Sequence, residues 1–294
     1  MQAVISIDIG GTSTKLATVD QVSNVLDEMV FATQSYQDED AYFDRLFLAV
    51  SDLIARRKED QILGIGIGAP CGIPNEGVIY QAANLPFSER VEIVRRFEEV
   101  FAIPTFLTKD SYAAALGEGV IGAAQNMSDY IVITLGTGLG SALVANQQLI
   151  IGSNGQAGEL GHTTSVPGGR ACRCGKRGCL ETYVSASGIK RTLFELLANS
   201  NRESFFRKKS FDEVSAKDIF LQAQNGDELA LKAFELTGKL LGEKLADLVA
   251  LTEPEAIVIN GGLASSGTLL IKPVQEHLEK NLLRFYQGKI KILI

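Results

Sequence analysis

Four residues that can bind a metal ion lie close together in the middle of the chain. They are one histidine and three cysteines: His162, Cys172, Cys174 and Cys179. An imidazole nitrogen and three thiolates form a complete tetrahedral ligand set for zinc, and a set with no open position is typical of a structural site. Carboxylates flank the cluster, because Glu159 precedes the histidine and Glu181 follows the last cysteine. The spacing predicts a closed structural Zn²⁺ site that holds polar side chains around a ligand. The alternative is a zinc loop that only fastens a poorly packed segment.

Two glycine-rich turns offer backbone amides that could bind phosphate oxygens. The first, in D-I-G-G-T-S-T-K, joins strand-like runs at residues 4–9 and 15–19, and Asp8 lies at the end of the first run. The second, in L-G-T-G-L-G, joins residues 131–135 to residues 141–144. The amides concerned are those of Gly10, Gly11 and Thr12 and of Gly136, Thr137 and Gly138. This repetition indicates two related lobes, each with a phosphate-type hairpin. The alternative is that both turns are ordinary β-hairpins.

Asp110 stands where a predicted strand at residues 103–108 gives way to the helical run A-A-A-L-G-E. The junction between the end of a strand and the start of a helix is a natural crevice position in α/β proteins, so this carboxylate is a candidate catalytic group. Its alternative role is that of a helix N-cap. Asn84, in an irregular segment rich in alanine and proline, is a further candidate hydrogen-bonding group.

Alternating strand and helix patterns must position these groups. Helical spacing of apolar residues predicts a helix at residues 40–58, and Ser88 is the expected N-cap of a second helix that ends near residue 101. An apolar strand is predicted at residues 62–67. After the cysteine-rich segment we expect helices at residues 188–197, 216–224 and 228–251 and strands at residues 256–259 and 289–294. A third glycine-rich turn, N-G-G-L-A-S-S-G, follows residue 259. The pattern predicts an α/β protein.

Composition narrows the class of protein. A chain of 294 residues is long for one domain, and we expect an N-terminal lobe at residues 1–115 and a C-terminal lobe at residues 116–294. The net charge of −7, without a concentrated basic patch, argues against binding to nucleic acid. Three of the four cysteines lie beside a histidine, which indicates a metal site in a reducing compartment. Neither a signal peptide nor an apolar run long enough to cross a membrane is evident, so we expect a cytoplasmic protein that does not bind a membrane.

These motifs, in this order, resemble the ROK family (repressors, open reading frames and sugar kinases), and the resemblance covers essentially the whole chain. Its most specific part is G-H-x9-C-x-C-G-x2-G-C-x-E, which starts at Gly161 and ends at Glu181. D-I-G-G-T-S-T-K and L-G-T-G-L-G resemble the two phosphate motifs, and I-N-G-G-L resembles the adenosine motif. The resemblance implies the actin-like ATPase (ribonuclease H-like) fold, with two α/β lobes that bind nucleotide and sugar in a central cleft.

The resemblance also implies roles for individual residues. Asp110 matches the catalytic base that takes the proton from the sugar hydroxyl, and Asp8 would orient Mg²⁺. Sugar-contacting positions are matched by Asn84, Glu159, His162 and Glu181. Nucleotide-binding positions are matched by Gly10, Gly11, Thr12, Lys15, Gly136, Thr137, Gly138, Gly261 and Gly262. Lys109 is a further candidate for substrate binding, because it stands where the family usually has a sugar-binding asparagine. This departure from the family pattern concerns the choice of sugar and not the reaction.

The resemblance implies an ATP-dependent sugar kinase that uses ATP, Mg²⁺ and a structural Zn²⁺ and forms a homodimer. The hydroxyl expected to accept the phosphoryl group is the 6-hydroxyl of a hexose or N-acetylhexosamine, such as glucose or N-acetylmannosamine. The alternatives are a fructokinase, a β-glucoside kinase or a sugar-sensing regulator without a DNA-binding domain. Regulators of the family carry a helix-turn-helix of several tens of residues, whereas Asp8 lies almost at the start here. Family members also usually continue into a helix beyond the last strand, and we expect that helix to be missing after Ile294. A zinc-ribbon nucleic-acid binder is disfavoured for two reasons. The net charge is negative, and the chain has only one of the metal-ligand motifs expected of such a protein.

Overall fold

The computed structural model describes residues 1–36, 38–82, 85–87 and 89–294. The described chain forms two compact units. Unit 1 consists of Met1–Ala114 and Ile151–Ala157, and unit 2 consists of Ala115–Ile150 and Gly158–Ile294. The short segment Ile151–Ala157 therefore packs with unit 1, although it follows the second glycine turn in sequence.

The strands are β1 (Gln2–Ile9), β2 (Ser13–Asp20), β3 (Val25–Ala32), β4 (Gln61–Ala69), β5 (Gly72–Ile73), β6 (Val78–Tyr80), β7 (Arg90–Val91), β8 (Thr105–Lys109), β9 (Tyr130–Leu135), β10 (Leu139–Ala145), β11 (Gln148–Leu149), β12 (Ala256–Asn260) and β13 (Lys291–Leu293). The α-helices are α1 (Glu39–Arg56), α2 (Ile93–Phe101), α3 (Asp110–Val120), α4 (Glu181–Val184), α5 (Ala186–Ala198), α6 (Ala216–Gln224), α7 (Glu228–Thr252) and α8 (Thr268–Asn281).

Unit 1 is built on a five-stranded sheet in the order β3-β2-β1-β4-β8. Strand β1 pairs antiparallel with β2 and parallel with β4, and β4 pairs parallel with β8. Every second residue of β1 is buried, so one face of the sheet packs on the core while Asp8 lies on the other face. The core of unit 1 contains a group of aromatic rings from α1, α2 and the segment before α2, with neighbouring centroids 5.1–5.8 Å apart. A small sheet, β5-β6-β7, completes this unit.

Unit 2 contains a second five-stranded sheet in the order β11-β10-β9-β12-β13. Its central strands β9 and β12 pair in parallel and are buried along almost their whole length, as expected for strands covered on both faces. Helices α5, α7 and α8 contribute much of the core. Helices α7 and α8 approach closely at Gly238 and Gly242, where an added Cβ would meet Pro273 and the backbone of Val274 at less than normal contact distance.

Most of the predicted elements are present with small differences at their ends, but one helix begins later than predicted and several elements were not predicted. Helix α2 begins at Ile93 instead of residue 88, because Arg90–Val91 is paired in strand β7. The proposed cap, Ser88, lies outside the described residues. The elements that were not predicted from the sequence are strand β3, the short strands β5, β6, β7 and β11, the short helix α4, and helix α8. Within the described ranges, no helix combines the length and the apolar character needed to cross a membrane.

Candidate active site and metal centre

The histidine and the three cysteines of the predicted zinc site lie together in unit 2. All four potential ligand atoms lie within 4.8 Å of one another. The Sγ atoms of Cys174 and Cys179 are 3.6 Å apart, and Sγ of Cys172 is 3.6 Å from Nδ1 of His162. Ligands about 2.3 Å from a tetrahedral zinc ion would be about 3.8 Å from each other. The spacing of the donor atoms therefore fits the predicted zinc ion.

His162 presents its two ring nitrogens to different groups. Nδ1 faces the cysteines, whereas Nε2 lies 4.0 Å from a carboxylate oxygen of Glu159. A short 3-10 helix, Leu160–His162, positions the ring, and its backbone is held by the hydrogen bond from His162 N to Glu159 O (3.1 Å). A metal bound at Nδ1 would leave the proton on Nε2, on the side of Glu159.

Arg170 is a structural residue of this loop that the sequence did not reveal. Its side chain is only 7% exposed, and its guanidinium binds Glu195 in a bidentate manner at 2.8 and 2.6 Å. The remaining hydrogen bonds go to Thr182 O (2.6 Å), Gly188 O (3.1 Å) and Thr192 Oγ1 (2.9 Å). The guanidinium also lies 4.3 Å from the ring centroid of Tyr183. Arg170 therefore ties the cysteine-rich loop to α4 and α5, over contacts too distant in sequence to follow from any local pattern.

Glu181, the first residue of α4, lies against the second glycine turn. Its Oε2 accepts a hydrogen bond from the backbone N of Leu139, at 2.9 Å. A Cβ added at Gly138 would collide with the same carboxylate oxygen. A branched side chain at Gly138 would therefore displace Glu181. Such a substitution would not test the predicted role of this turn in nucleotide binding selectively.

The second and third glycine turns meet in unit 2. Gly136 N donates to Gly138 O (3.0 Å), which closes the turn between β9 and β10. Gly261 has a φ of +95°, and Leu263 N donates to Leu135 O at 3.1 Å, so the turn after β12 packs on the residue before Gly136. The predicted nucleotide-binding residues of unit 2 thus lie in adjoining turns: Gly136, Thr137, Gly138, Gly261 and Gly262.

Two buried side-chain oxygens, from Thr134 and Asn260, lie next to these turns. Thr134 and Asn260 are paired across β9 and β12, one residue before Leu135 and one before Gly261 respectively. Within the part of the chain that the structure describes, Oγ1 of Thr134 and Oδ1 of Asn260 have no hydrogen-bond partner. Buried polar atoms normally have partners, so this is a position where an ordered water or a ligand group is expected.

The first glycine turn and the two predicted acidic residues of the N-terminal lobe lie in unit 1. Gly10 N donates to Ser13 O (3.0 Å), which closes the turn of residues 10–12. Asp8 is paired with Lys15 across the hairpin. Although Asp8 has access to solvent, neighbouring protein atoms desolvate its carboxyl group and raise its pKa; the Lys15 ammonium lowers this pKa, and the Asp110 carboxylate raises it. Asp8 and Asp110 are therefore close enough to interact electrostatically.

Asp110 is exposed and is the first residue of α3. Its Oδ1 accepts a hydrogen bond from the N of the next residue, Ser111, at 2.7 Å. A capping side chain instead reaches the amide two or three residues further on, so this geometry does not support the capping alternative.

Lys109 and Asn84 are the remaining substrate-binding candidates of the N-terminal lobe. Lys109 is buried, with Nζ 3.2 Å from Ala157 O and 4.7 Å from the ring centroid of Tyr112. Its ammonium therefore takes part in holding the segment Ile151–Ala157. Asn84 lies outside the described residues.

The zinc assignment predicts the metal content of two cysteine variants. The wild type is expected to contain one zinc per chain by elemental analysis, and Cys174→Ser is expected to lose it, because a hydroxyl is a poor replacement for a thiolate ligand. Cys71→Ser, outside the cluster, is the matched control and should keep its zinc.

We also expect the loss of zinc to weaken sugar binding more than ATP binding. A metal-free Cys174→Ser protein with the sugar affinity of the wild type would contradict the positioning role of the loop.

Comparisons with known proteins agree with this geometry. The sequence model of the ROK family matches residues 4–294. The chain is 35% identical over 286 residues to a glucokinase of Halalkalibacterium halodurans, which covers 94% of this chain and 84% of that protein. It is 28% identical to a xylose repressor of Caldicellulosiruptor bescii, over 99% of this chain and 74% of the repressor.

Among solved structures, a ROK family glucokinase of Streptomyces griseus in complex with glucose and AMPPNP superposes with a TM-score of 0.84. It is 29% identical, and the match covers 99% of this chain and 93% of that chain. This similarity confirms the predicted α/β, actin-like ATPase fold. With a family model that matches almost every residue and a curated relative at 35% identity, the chain belongs to the ROK family.

Proposed function

We propose that the chain is an ATP-dependent sugar kinase that transfers the γ-phosphoryl group to the 6-hydroxyl of a hexose or N-acetylhexosamine. The observation that carries the proposal is the exposed carboxylate of Asp110 directly after strand β8, in the same sheet whose strand β1 carries Asp8 and leads into the first glycine turn. Curated glucokinase relatives and the glucose complex of a structural neighbour support the same reaction class.

Asp110 would act as the general base. A sugar hydroxyl is a weak nucleophile at neutral pH, and a carboxylate within hydrogen-bond reach can accept its proton as the bond to phosphorus forms. Asp110 is exposed, and among the described residues its carboxylate accepts a hydrogen bond only from the neighbouring Ser111 N. It therefore has the access that this role requires.

Phosphoryl transfer depends mainly on positioning and on neutralisation of phosphate charge. The amides of residues 10–12 in unit 1 and of residues 136–138 in unit 2 would bind phosphate oxygens. Asp8 offers the hard carboxylate oxygen that Mg²⁺ prefers, and Lys15 opposite it favours the ionised carboxylate. Mg²⁺, when bound with ATP, would neutralise charge on the β- and γ-phosphates.

Glu159, His162 and Glu181 would bind sugar hydroxyl groups. Nε2 of His162 and the Glu159 carboxylate lie on the side of the histidine ring away from the cysteines. A zinc ion held by Nδ1 of His162 and the three cysteines would fix the ring and its tautomer. The zinc site is thus proposed as a structural support for sugar binding.

A substrate panel tests the proposal. Purified protein with Mg·ATP should phosphorylate at least one of glucose, N-acetylmannosamine, N-acetylglucosamine, fructose and a β-glucoside, measured by ADP release and by ³¹P NMR of the product. The 6-deoxy analogue of the best substrate should bind without being phosphorylated. Phosphorylation of the 6-deoxy analogue would show that another hydroxyl is the acceptor.

A sugar-sensing regulator is the second candidate, because the xylose repressor relative matches 99% of this chain. The same panel separates the two functions. A regulator would bind a sugar, as measured by calorimetry, without transferring phosphate to any member of the panel.

A further inference from the structure

The segment of residues 181–187, which follows the last cysteine, makes three hydrogen bonds to the second glycine turn. Glu181 Oε2 accepts from Leu139 N at 2.9 Å, Ala186 N donates to Gly136 O at 2.9 Å, and Ser187 Oγ donates to Thr137 O at 3.2 Å. All of these residues belong to unit 2. The proposed sugar-binding carboxylate and the proposed phosphate-binding turn are therefore in direct contact.

The contact made by Glu181 is the strongest of the three on chemical grounds. An amide that donates to an ionised carboxylate forms a charge-assisted bond, which is roughly twice as strong as a bond between neutral groups. The carboxylate also occupies the space beside Gly138, so that a Cβ at this position would have to displace it. It thus orients the Leu139 amide and restricts the conformation of the turn.

The two carboxylate oxygens of Glu181 have different surroundings. Oε2 is used by Leu139 N, whereas Oε1 accepts no hydrogen bond from any residue that the structure describes. Glu181 is half-buried, so a ligand can reach it. One side chain can therefore hold the turn with one oxygen and bind a sugar hydroxyl with the other.

We propose that Glu181 is a positioning residue for the nucleotide phosphates in addition to its sugar contact, and that it couples the binding of the two substrates. A sugar bound at Oε1 would immobilise the carboxylate, and with it the turn that binds phosphate. Because coupling between two binding sites is reciprocal, sugar should tighten nucleotide binding by the same factor by which nucleotide tightens sugar binding. This inference rests on the proposed kinase function.

Nucleotide binding in the absence of sugar tests the positioning role, because a pure sugar contact would not affect it. The probe is Mg·AMPPNP, titrated by calorimetry into the intact protein. Glu181→Ala is expected to weaken binding about tenfold, or ~1.4 kcal/mol, since the hydrogen bond from Leu139 N to a charged group is lost. Glu181→Gln keeps a carbonyl oxygen for Leu139 N and should stay within about threefold of the wild type. Glu203→Ala, which removes an exposed carboxylate elsewhere in unit 2, is the matched control and should not change sugar-free nucleotide affinity.

Coupling is tested by repeating the titrations with the best sugar of the panel at a saturating concentration. The wild type should bind AMPPNP several-fold more tightly with sugar than without it, and this difference should disappear in Glu181→Gln because its amide binds the sugar poorly. If Glu181→Ala does not fold, Glu181→Asp keeps the charge but moves it away from Leu139 N, and it should weaken sugar-free nucleotide binding about as much.

The outcomes are distinct. Wild-type nucleotide affinity without sugar in both Glu181→Ala and Glu181→Asp would overturn the positioning role while leaving the kinase function intact. A wild-type protein that binds sugar but no AMPPNP would overturn the kinase function and this inference with it.

Discussion

Replacement of Asp110 by asparagine is expected to lower kcat by about 10²–10⁴-fold, the usual contribution of a positioned general base. Asparagine keeps the shape of the side chain and an oxygen that can accept from Ser111 N, but it cannot take a proton. Sugar binding should therefore remain within about tenfold of the wild type, or ~1.4 kcal/mol. Steady-state kinetics at saturating ATP and sugar, together with calorimetry, measure both quantities.

The matched control is Asp52→Asn, which removes an exposed carboxylate from α1 in the same unit. It should show wild-type kinetics. Because Asp110 does not have the geometry of a helix cap, the melting temperature of Asp110→Asn should also be close to that of the wild type. A wild-type phosphorylation rate in Asp110→Asn would mean that the base lies elsewhere in the chain.

The largest effect on stability is expected at Arg170. Replacement by methionine keeps most of the side-chain volume but removes donors from Thr182 O, Gly188 O and Thr192 Oγ1. At about 1 kcal/mol each, these losses sum to roughly 3 kcal/mol. The pair with Glu195 adds little, because the side chain of Glu195 is 57% exposed. The melting temperature should fall by roughly 6–12 °C in calorimetry, at about 2–4 °C per kcal/mol for a unit of this size.

Glu195→Gln is the control for Arg170. It removes the charge of the exposed partner but keeps an acceptor oxygen, so its cost should be below about 1 kcal/mol. A melting temperature of Arg170→Met equal to that of Glu195→Gln would show that the buried guanidinium contributes no more than its surface ion pair.

The parts of the candidate site that could be predicted from the sequence are those built from short contiguous stretches. The zinc ligands and the glycine turns depend on spacing within a few residues, and the structure brings His162 and the three cysteines within ligand distance of one another. The hairpin at Gly10 and Gly11 also follows from local turn chemistry.

The features that were not predicted depend on contacts between residues that are far apart in sequence. Glu181 contacts an amide 42 positions away, and Arg170 contacts Glu195 25 positions away, so neither partnership leaves a local pattern. Helix α8 carries Pro273 in its interior, which argues against a helix on sequence grounds. The proline ring packs against α7 at Gly238, where a Cβ would meet Pro273. Strand β3 lies at the edge of its sheet and has no clean alternation of buried and exposed residues.

Unit 1 consists of two separate stretches of sequence, Met1–Ala114 and Ile151–Ala157, and this has a consequence for protein synthesis. Nζ of Lys109 and the hydroxyl of Tyr112 both donate to the carbonyl of Ala157, which is translated well after them. At about 5–20 residues per second, the ribosome needs roughly 2–9 s to pass from residue 114 to residue 157. During that interval the two hydrogen bonds to Ala157 O cannot form. The N-terminal unit therefore cannot complete its native hydrogen bonds in the order in which it is made, and must wait for a segment that emerges together with the unit that follows it.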